Sequence, residues 1–122
     1  MAVALGNYKM TLNQEKKVFN IYAEGIMTPE LGAAYTNEFI EKSKSIDSKE
    51  WSLVIDVKNL NTNSHDVAEM LVVVMKLYFS VPYKKRYMTK IQNAVCFMQV
   101  KKLGAAIPDF NSMIWVDNVD NI

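Results

Sequence analysis

The chain has 122 residues, a formal net charge of +1 and a pI near 7.8. This length suits one domain with a substantial core, and we treat residues 1–122 as a single unit. Half of the residues are apolar and 22% are charged, which excludes a disordered chain. One Cys and one His exclude a Cys–His zinc site, a disulfide framework and a two-histidine mechanism within one chain.

Two short strand-like runs open the chain. Residues 8–12 alternate apolar and polar side chains, and strand character resumes at Val18–Ala23 after a polar turn, so we predict a β-hairpin.

The start of a helix follows this hairpin. Thr28 can cap the first free N–H groups, Pro29 occupies the first helical position, and Glu30 complements the positive end of the helix dipole.

The middle of the chain predicts a strand and a second helix. Residues 51–57 contain a contiguous Leu-Val-Ile run, which is typical of a strand covered on both faces. Ser64 has the chemistry of an N-cap for a helix from Asp66 to about Phe79, and Pro82 closes that helix.

The last third of the chain predicts three more elements. They are a strand at residues 86–92, a helix from about Ala94 to Leu103 with Gly104 as its C-cap, and a strand at residues 113–116. The order β-β-α-β-α-β-α-β predicts an α/β fold, with a mixed sheet whose later strands are parallel.

Two of these segments resemble a known family. Gly25 after the second strand, and the Leu-Val-Ile-Asp strand that ends at Asp56, resemble the STAS domain of anti-sigma factor antagonists and of sulphate transporters. The resemblance covers residues 8–119. It implies a STAS-like (SpoIIAA-like) fold and a non-catalytic regulatory module of bacterial signalling, with a protein partner such as a sigma-regulator kinase.

The switch of that family is a phosphorylated serine in an Asp-Ser-x-Gly motif at the start of the next helix. Counted without gaps from Asp56, the Asp and Ser positions fall on Ser64 and His65, and the Gly position falls on Val67. The motif is absent as written, and Ser64, one residue away, is the candidate phosphorylation site. The SpoIIAA-like group without that serine, and more distantly the CRAL-TRIO lipid-binding domains, imply an alternative function, the binding of a small molecule or lipid.

Four polar residues form a candidate ligand or partner edge. Asp56 ends a strand and Ser64, His65 and Asp66 open the next helix, and ligands of open α/β sheets gather at this edge. The alternative is that Ser64 caps the helix, Asp66 complements its dipole and His65 is solvated. Sequence neighbours do not form a nucleophile–base array, and two carboxylates are few for a cation. We therefore predict no catalytic residue, no metal, no cofactor and no enzymatic activity.

The second helix carries more apolar surface than one sheet contact requires. Beside its sheet-facing stripe, Val72, Met75 and Phe79 lie on a second apolar arc. We expect this arc to contact a protein partner, most simply a second copy of the chain in a homodimer. The alternative is that a neighbouring helix of the same domain covers it.

The remaining signals concern location and charge. No apolar run approaches the roughly 20 residues of a membrane span, the N-terminal segment is a poor signal peptide, and the lone Cys96 fits a reducing compartment. We expect a cytoplasmic protein with no nucleic-acid partner. The basic run Lys84-Lys85-Arg86 could touch acidic lipid, RNA or an acidic protein, but we favour a solvated loop, because the near-neutral chain supplies no supporting field.

Overall fold

The structure is a computed structural model that describes residues 6–61 and 65–120, with the backbone alone for residues 65–70. Its strands are β1 (Asn7–Asn13), β2 (Val18–Glu24), β3 (Ser52–Asp56), β4 (Lys85–Thr89) and β5 (Ile114–Val116), and its helices are α1 (Pro29–Lys44), α2 (His65–Ser80) and α3 (Ala94–Gly104). The strands form one sheet in sequential order, with β1 antiparallel to β2 and all later pairs parallel. The predicted α/β class, element order and mixed sheet are confirmed.

The three helices pack on the same face of this sheet. Alternate residues of β2, namely Phe19, Ile21 and Ala23, are at most 3% exposed, and the residues between them are half-buried. The core cluster joins these side chains to residues of every helix: Tyr35, Phe39, Val74, Met75, Tyr78, Cys96 and Val100. Each parallel connection leads to the next strand in the same direction across the sheet. Because such connections are right-handed, all three helices lie on one side of the sheet.

Among the described residues, no helix packs against the opposite face, which we call the uncovered face. The burial expected of β3 is confirmed, because Leu53, Val54 and Ile55 are all at most 2% exposed, although no described helix covers the second face. Val54 lies on the uncovered face in register with Asn20 and Tyr87, and it is 2% exposed although it is outside the core cluster. Val54 belongs to the central strand of the sheet, with a neighbouring strand on either side.

The loops at the carboxyl ends of the parallel strands are bonded to one another. Gly25, directly after β2, has a φ of 71°, a conformation that favours glycine. Its N–H donates to the carbonyl of Asn59 at 3.0 Å, and its own carbonyl accepts from the N–H of Asn61 at 2.9 Å. The predicted cap of α1 is confirmed, because the Thr28 side chain accepts from the N–H of Leu31 at 3.1 Å.

The end of α3 packs closely against the segment that follows it. A Cβ on Gly104 would lie 2.3 Å from the Phe110 ring. That ring is held on both sides, with the Phe79 ring at 6.2 Å and the Trp115 ring at 6.0 Å between centroids. Gly104 was predicted as the helix C-cap, but it is the last residue of α3 and Ala105 follows as the cap. Because glycine has no side chain, the Phe110 ring can pack directly against the backbone of α3 at this position.

We predict that Gly104→Ala lowers the free energy of unfolding by about 1–3 kcal/mol, because the methyl group overlaps a ring that cannot move freely. Urea denaturation measures this change. In a Phe110→Ala background the same substitution should be neutral or stabilising, since alanine favours a helix over glycine. An equal loss in both backgrounds would contradict the packing explanation.

Candidate functional site

The structure places Asp56 at the carboxyl end of β3, where its carboxylate is already occupied. Its Oδ1 accepts from the backbone N–H of Lys58 at 3.3 Å and lies 3.5 Å from the hydroxyl of Thr89. Thr89 is fully buried, and its Oγ1 accepts from the N–H of Val57 at 2.9 Å. These contacts fix the turn after β3. Asp56 thus has a structural role in this turn. That role was not predicted from the sequence.

The other members of the predicted edge are only partly placed. α2 begins at His65, so His65 and Asp66 occupy its first two positions, as the capping interpretation expects. Their side chains and the whole of Ser64 lie outside the described residues. Within the part of the chain that is described, no group of three or more His, Cys, Asp or Glu side chains is arranged to hold a metal ion.

A residue that sequence reasoning missed connects two loops of this edge. The Asn93 side chain caps α3 by accepting from the N–H of Cys96 at 3.0 Å, and its Nδ2 donates to Oδ1 of Asn61 at 2.9 Å. The thiol of Cys96 donates to the carbonyl of Asn61 at 3.1 Å. An asparagine directly before an apolar helical run is a cap signal that could have identified Asn93.

The chemistry of Cys96 follows from its burial. The side chain is fully buried, and desolvation raises the pKa of the thiol to about 11. A thiol with this pKa is protonated at neutral pH and is a poor nucleophile. Cys96 therefore has the place of a small buried hydrophobic residue in this fold.

An apolar pocket of about 50 Å³ lies between the helices and the carboxyl ends of β2 and β4. Ala23 and Met88 line it from the sheet, and Tyr35, Met75 and Val100 line it from the three helices. Sites for ordinary small molecules measure roughly 300–1,000 Å³. The pocket in this conformation is therefore too small for such a ligand.

Two buried tyrosines cross the helix layer beside this pocket. The hydroxyls of Tyr35 on α1 and Tyr78 on α2 are hydrogen-bonded to each other, and both side chains are at most 4% exposed. Burial raises the pKa of each tyrosine well above its ordinary value of 10. Each hydroxyl is the hydrogen-bond partner of the other inside an otherwise apolar layer. An isolated hydroxyl buried there would lack a partner and would lower the stability of the fold.

The predicted interface arc on α2 does not form a free surface. Met75 is 3% exposed and belongs to the core and the pocket wall, while Val72 is half-buried. Phe79 packs against the Phe110 ring, and the guanidinium of Arg86 lies 5.1 Å from its centroid. The expectation of exposure is wrong for Met75. The arc turns inward because the segment before β5 packs alongside α2.

Three exposed apolar side chains lie elsewhere, on the outer surfaces of α2 and α3. Val73 of α2 is 54% exposed, and Val95 and Met98 of α3 are 67% and 71% exposed. Val95 and Met98 are three residues apart and therefore share one helix face. We call these three residues the outer apolar set. They include three of the four large apolar side chains that are exposed in the described part of the chain, the fourth being Ile114.

The chain matches no protein-family model, no curated protein and no solved structure. The structure shows a mixed α/β fold. Membership of the STAS family stays a prediction. Among the helices that the structure describes, none is long and apolar enough to cross a bilayer.

We predict that Tyr35→Phe or Tyr78→Phe alone lowers the free energy of unfolding by about 1–3 kcal/mol, because the remaining hydroxyl loses its partner in a buried layer. The double variant should lose less than the sum of the two single losses. A double-mutant cycle in urea measures this coupling. Strict additivity would contradict a direct hydroxyl pair.

We also predict that stability falls as the pH rises above about 10. The folded chain keeps protons on Tyr35 and Tyr78 where the unfolded chain releases them, so their contribution is complete below pH 10 and is lost above it. Urea midpoints measured from pH 8 to pH 11 should fall less steeply for the double Tyr→Phe variant. Cys96 and Tyr83, whose pKa values are also raised by burial, are common to both proteins. Identical slopes would contradict the assignment.

Proposed function

We propose that the protein is a non-catalytic regulatory module that binds a protein partner, and that the outer apolar set on α2 and α3 is its contact surface. The observation that carries this proposal is the exposure of Val73, Val95 and Met98 on two helices that pack side by side. Val95 and Met98 share one face of α3, and exposed apolar side chains that lie together are typical of interaction sites. The resemblance to STAS domains, and a cytoplasmic location, belong to the same proposal.

The chemistry of the carboxyl edge supports a role without catalysis. Asp56 is bonded to the turn beside it, and Cys96 is protonated and buried. Neither side chain is paired with a general acid or base in the described residues, whereas acid–base and nucleophilic mechanisms need such pairs within hydrogen-bond reach. Binding is therefore the better-supported role for this edge and for the helices beside it.

A second copy of the chain is the simplest partner, because a self-complementary surface needs no other gene product. A sigma-regulator kinase is the partner that the STAS resemblance implies, with Ser64 as its target. A phosphate on a residue that precedes a helix would meet free N–H groups and the positive end of the dipole. Mass spectrometry after incubation with such a kinase tests this part, and modification at Ser80 or Ser112 with Ser64 untouched would contradict it.

One observation supports a second candidate function, the binding of a small apolar molecule or lipid. The pocket behind α1 and α2 has an almost wholly apolar lining that includes Met27, Met75 and Met88. Methionine side chains adapt to irregular shapes, so the pocket could enlarge around a ligand. At about 50 Å³ it would have to enlarge several-fold, and this is why we place ligand binding second.

The main proposal predicts that the wild-type chain forms a dimer in sedimentation-velocity experiments, and that Val95→Lys with Met98→Lys makes it monomeric. Both substitutions place charge on side chains that are already exposed, so the fold should survive. Ala33→Lys with Asn37→Lys is the matched control, because it adds equal charge to exposed positions on α1.

The control should remain dimeric, and melting curves should show that both variants are folded. A wild-type chain that is monomeric at every concentration would contradict self-association. A dimer that persists in the Val95 and Met98 variant would contradict the assignment of the surface.

A further inference from the structure

Three segments that are far apart in sequence meet at the amino ends of the parallel strands. The carbonyl of Lys17, in the hairpin turn, accepts from the N–H of Ser52 at 3.0 Å, and the carbonyl of Trp51 accepts from the N–H of Lys84 at 2.9 Å. In the sheet, Ser52 pairs with both Val18 and Lys85. Neighbouring strands are about 4.8 Å apart, so the starts of β2 and β4 are separated by only about 10 Å.

This convergence brings together lysines that look unrelated in the sequence. The hairpin turn at residues 14–17, the segment at residues 44–50 and the start of β4 carry six exposed lysines: Lys16, Lys17, Lys44, Lys49, Lys84 and Lys85. We call this surface the basic edge. Within the described residues none of the six makes an ion pair. Three exposed carboxylates accompany them, Glu15, Asp47 and Glu50.

The opposite edge of the sheet has no such excess of lysines. Glu24 and Asp56 end β2 and β3, and Asp117 follows β5. The described lysines there are Lys9, Lys58 and Lys90, and Lys90 is already paired with Asp117 at 3.1 Å. The net charge of +1 therefore conceals an uneven distribution of charge along the strands. Such an asymmetry would orient the molecule at a charged surface.

The described side chains around the basic edge are poorly suited to recognise nucleic acid. Of the aromatic residues near these lysines, Trp51 and Tyr83 are 4% and 5% exposed and offer no ring for base stacking, and Tyr87 is half-buried. The one arginine, Arg86, donates to the carbonyls of Tyr78 and Val81 at the end of α2. Without a free guanidinium there is no bidentate phosphate contact. Exposed lysines alone suit a surface whose negative charge is spread out.

From this placement we infer that the basic edge binds the surface of an anionic lipid bilayer. The chain would lie on the bilayer with the amino ends of its parallel strands toward the headgroups, and the opposite edge of the sheet would face away. Lysines near an anionic bilayer contribute individually small and additive attraction, so the binding is reversible and weakens with salt. This inference is independent of the outer apolar set.

The test is co-sedimentation with vesicles that contain phosphatidylglycerol and phosphatidylcholine in about equal amounts, compared with vesicles of phosphatidylcholine alone. The edge variant carries Lys16→Gln, Lys49→Gln and Lys84→Gln. The control variant carries Lys9→Gln, Lys58→Gln and Lys90→Gln, which removes the same net charge from other parts of the surface. Circular dichroism establishes that both are folded.

The wild-type chain should bind the anionic vesicles at low salt and leave them at about 1 M salt, where the Debye length is about 3 Å. The edge variant should lose at least about tenfold in partition, and the control less than about twofold. Three results would overturn the inference: no wild-type binding to anionic vesicles at low salt, equal losses in both variants, or tighter binding to a single-stranded oligonucleotide than to the vesicles.

Discussion

The sequential order of the strands is the constraint on which the rest of this structure depends. Because each parallel connection steps to the next strand in the same direction, α1, α2 and α3 share one face of the sheet. The core is then a single layer between helices and sheet. The two ends of the strands become distinct surfaces, one where bonded loops meet and one where lysines meet.

Two pairs of buried hydroxyls join elements of this layer. The hydroxyls of Tyr35 and Tyr78 bond to each other, and the hydroxyl of Ser43 lies 2.6 Å from that of Tyr83. Each pair joins α1 to α2 or to the loop after it, so the bonds also fix how the helices lie. An unpaired buried hydroxyl would cost about 1–3 kcal/mol, which is a large fraction of a small domain's stability. Pairing therefore contributes specificity as well as stability.

The sequence predicted best what depends on local chemistry. Thr28 and Pro29 mark the start of α1 because a cap and a proline act on their own helix turn. The order of elements followed from the periodicity of apolar residues. These signals require no knowledge of which strands are neighbours, and the structure agrees with them.

Features that depend on tertiary neighbours could not be predicted in this way. Met75 lies on the apolar arc of a helical wheel, but the wheel does not show that the segment carrying Phe110 packs alongside α2. The Leu-Val-Ile run of β3 predicted burial on both faces, and Val54 is 2% exposed, but the run did not show that all three helices lie on the other face. The lysines of the basic edge meet only because strand pairing joins three distant segments. Sequence patterning records which residues prefer burial and leaves open what covers them.

The one-sided arrangement of helices can be tested directly by the reactivity of introduced cysteines. In a Cys96→Ala background, Asn20→Cys and Tyr87→Cys lie on the uncovered face, and Ile21→Cys and Met88→Cys lie under the helices. The account predicts that a thiol reagent labels the first two rapidly in the native protein and the last two only after unfolding. Equal protection at all four positions in dilute protein would show that both faces are covered, and would contradict the account.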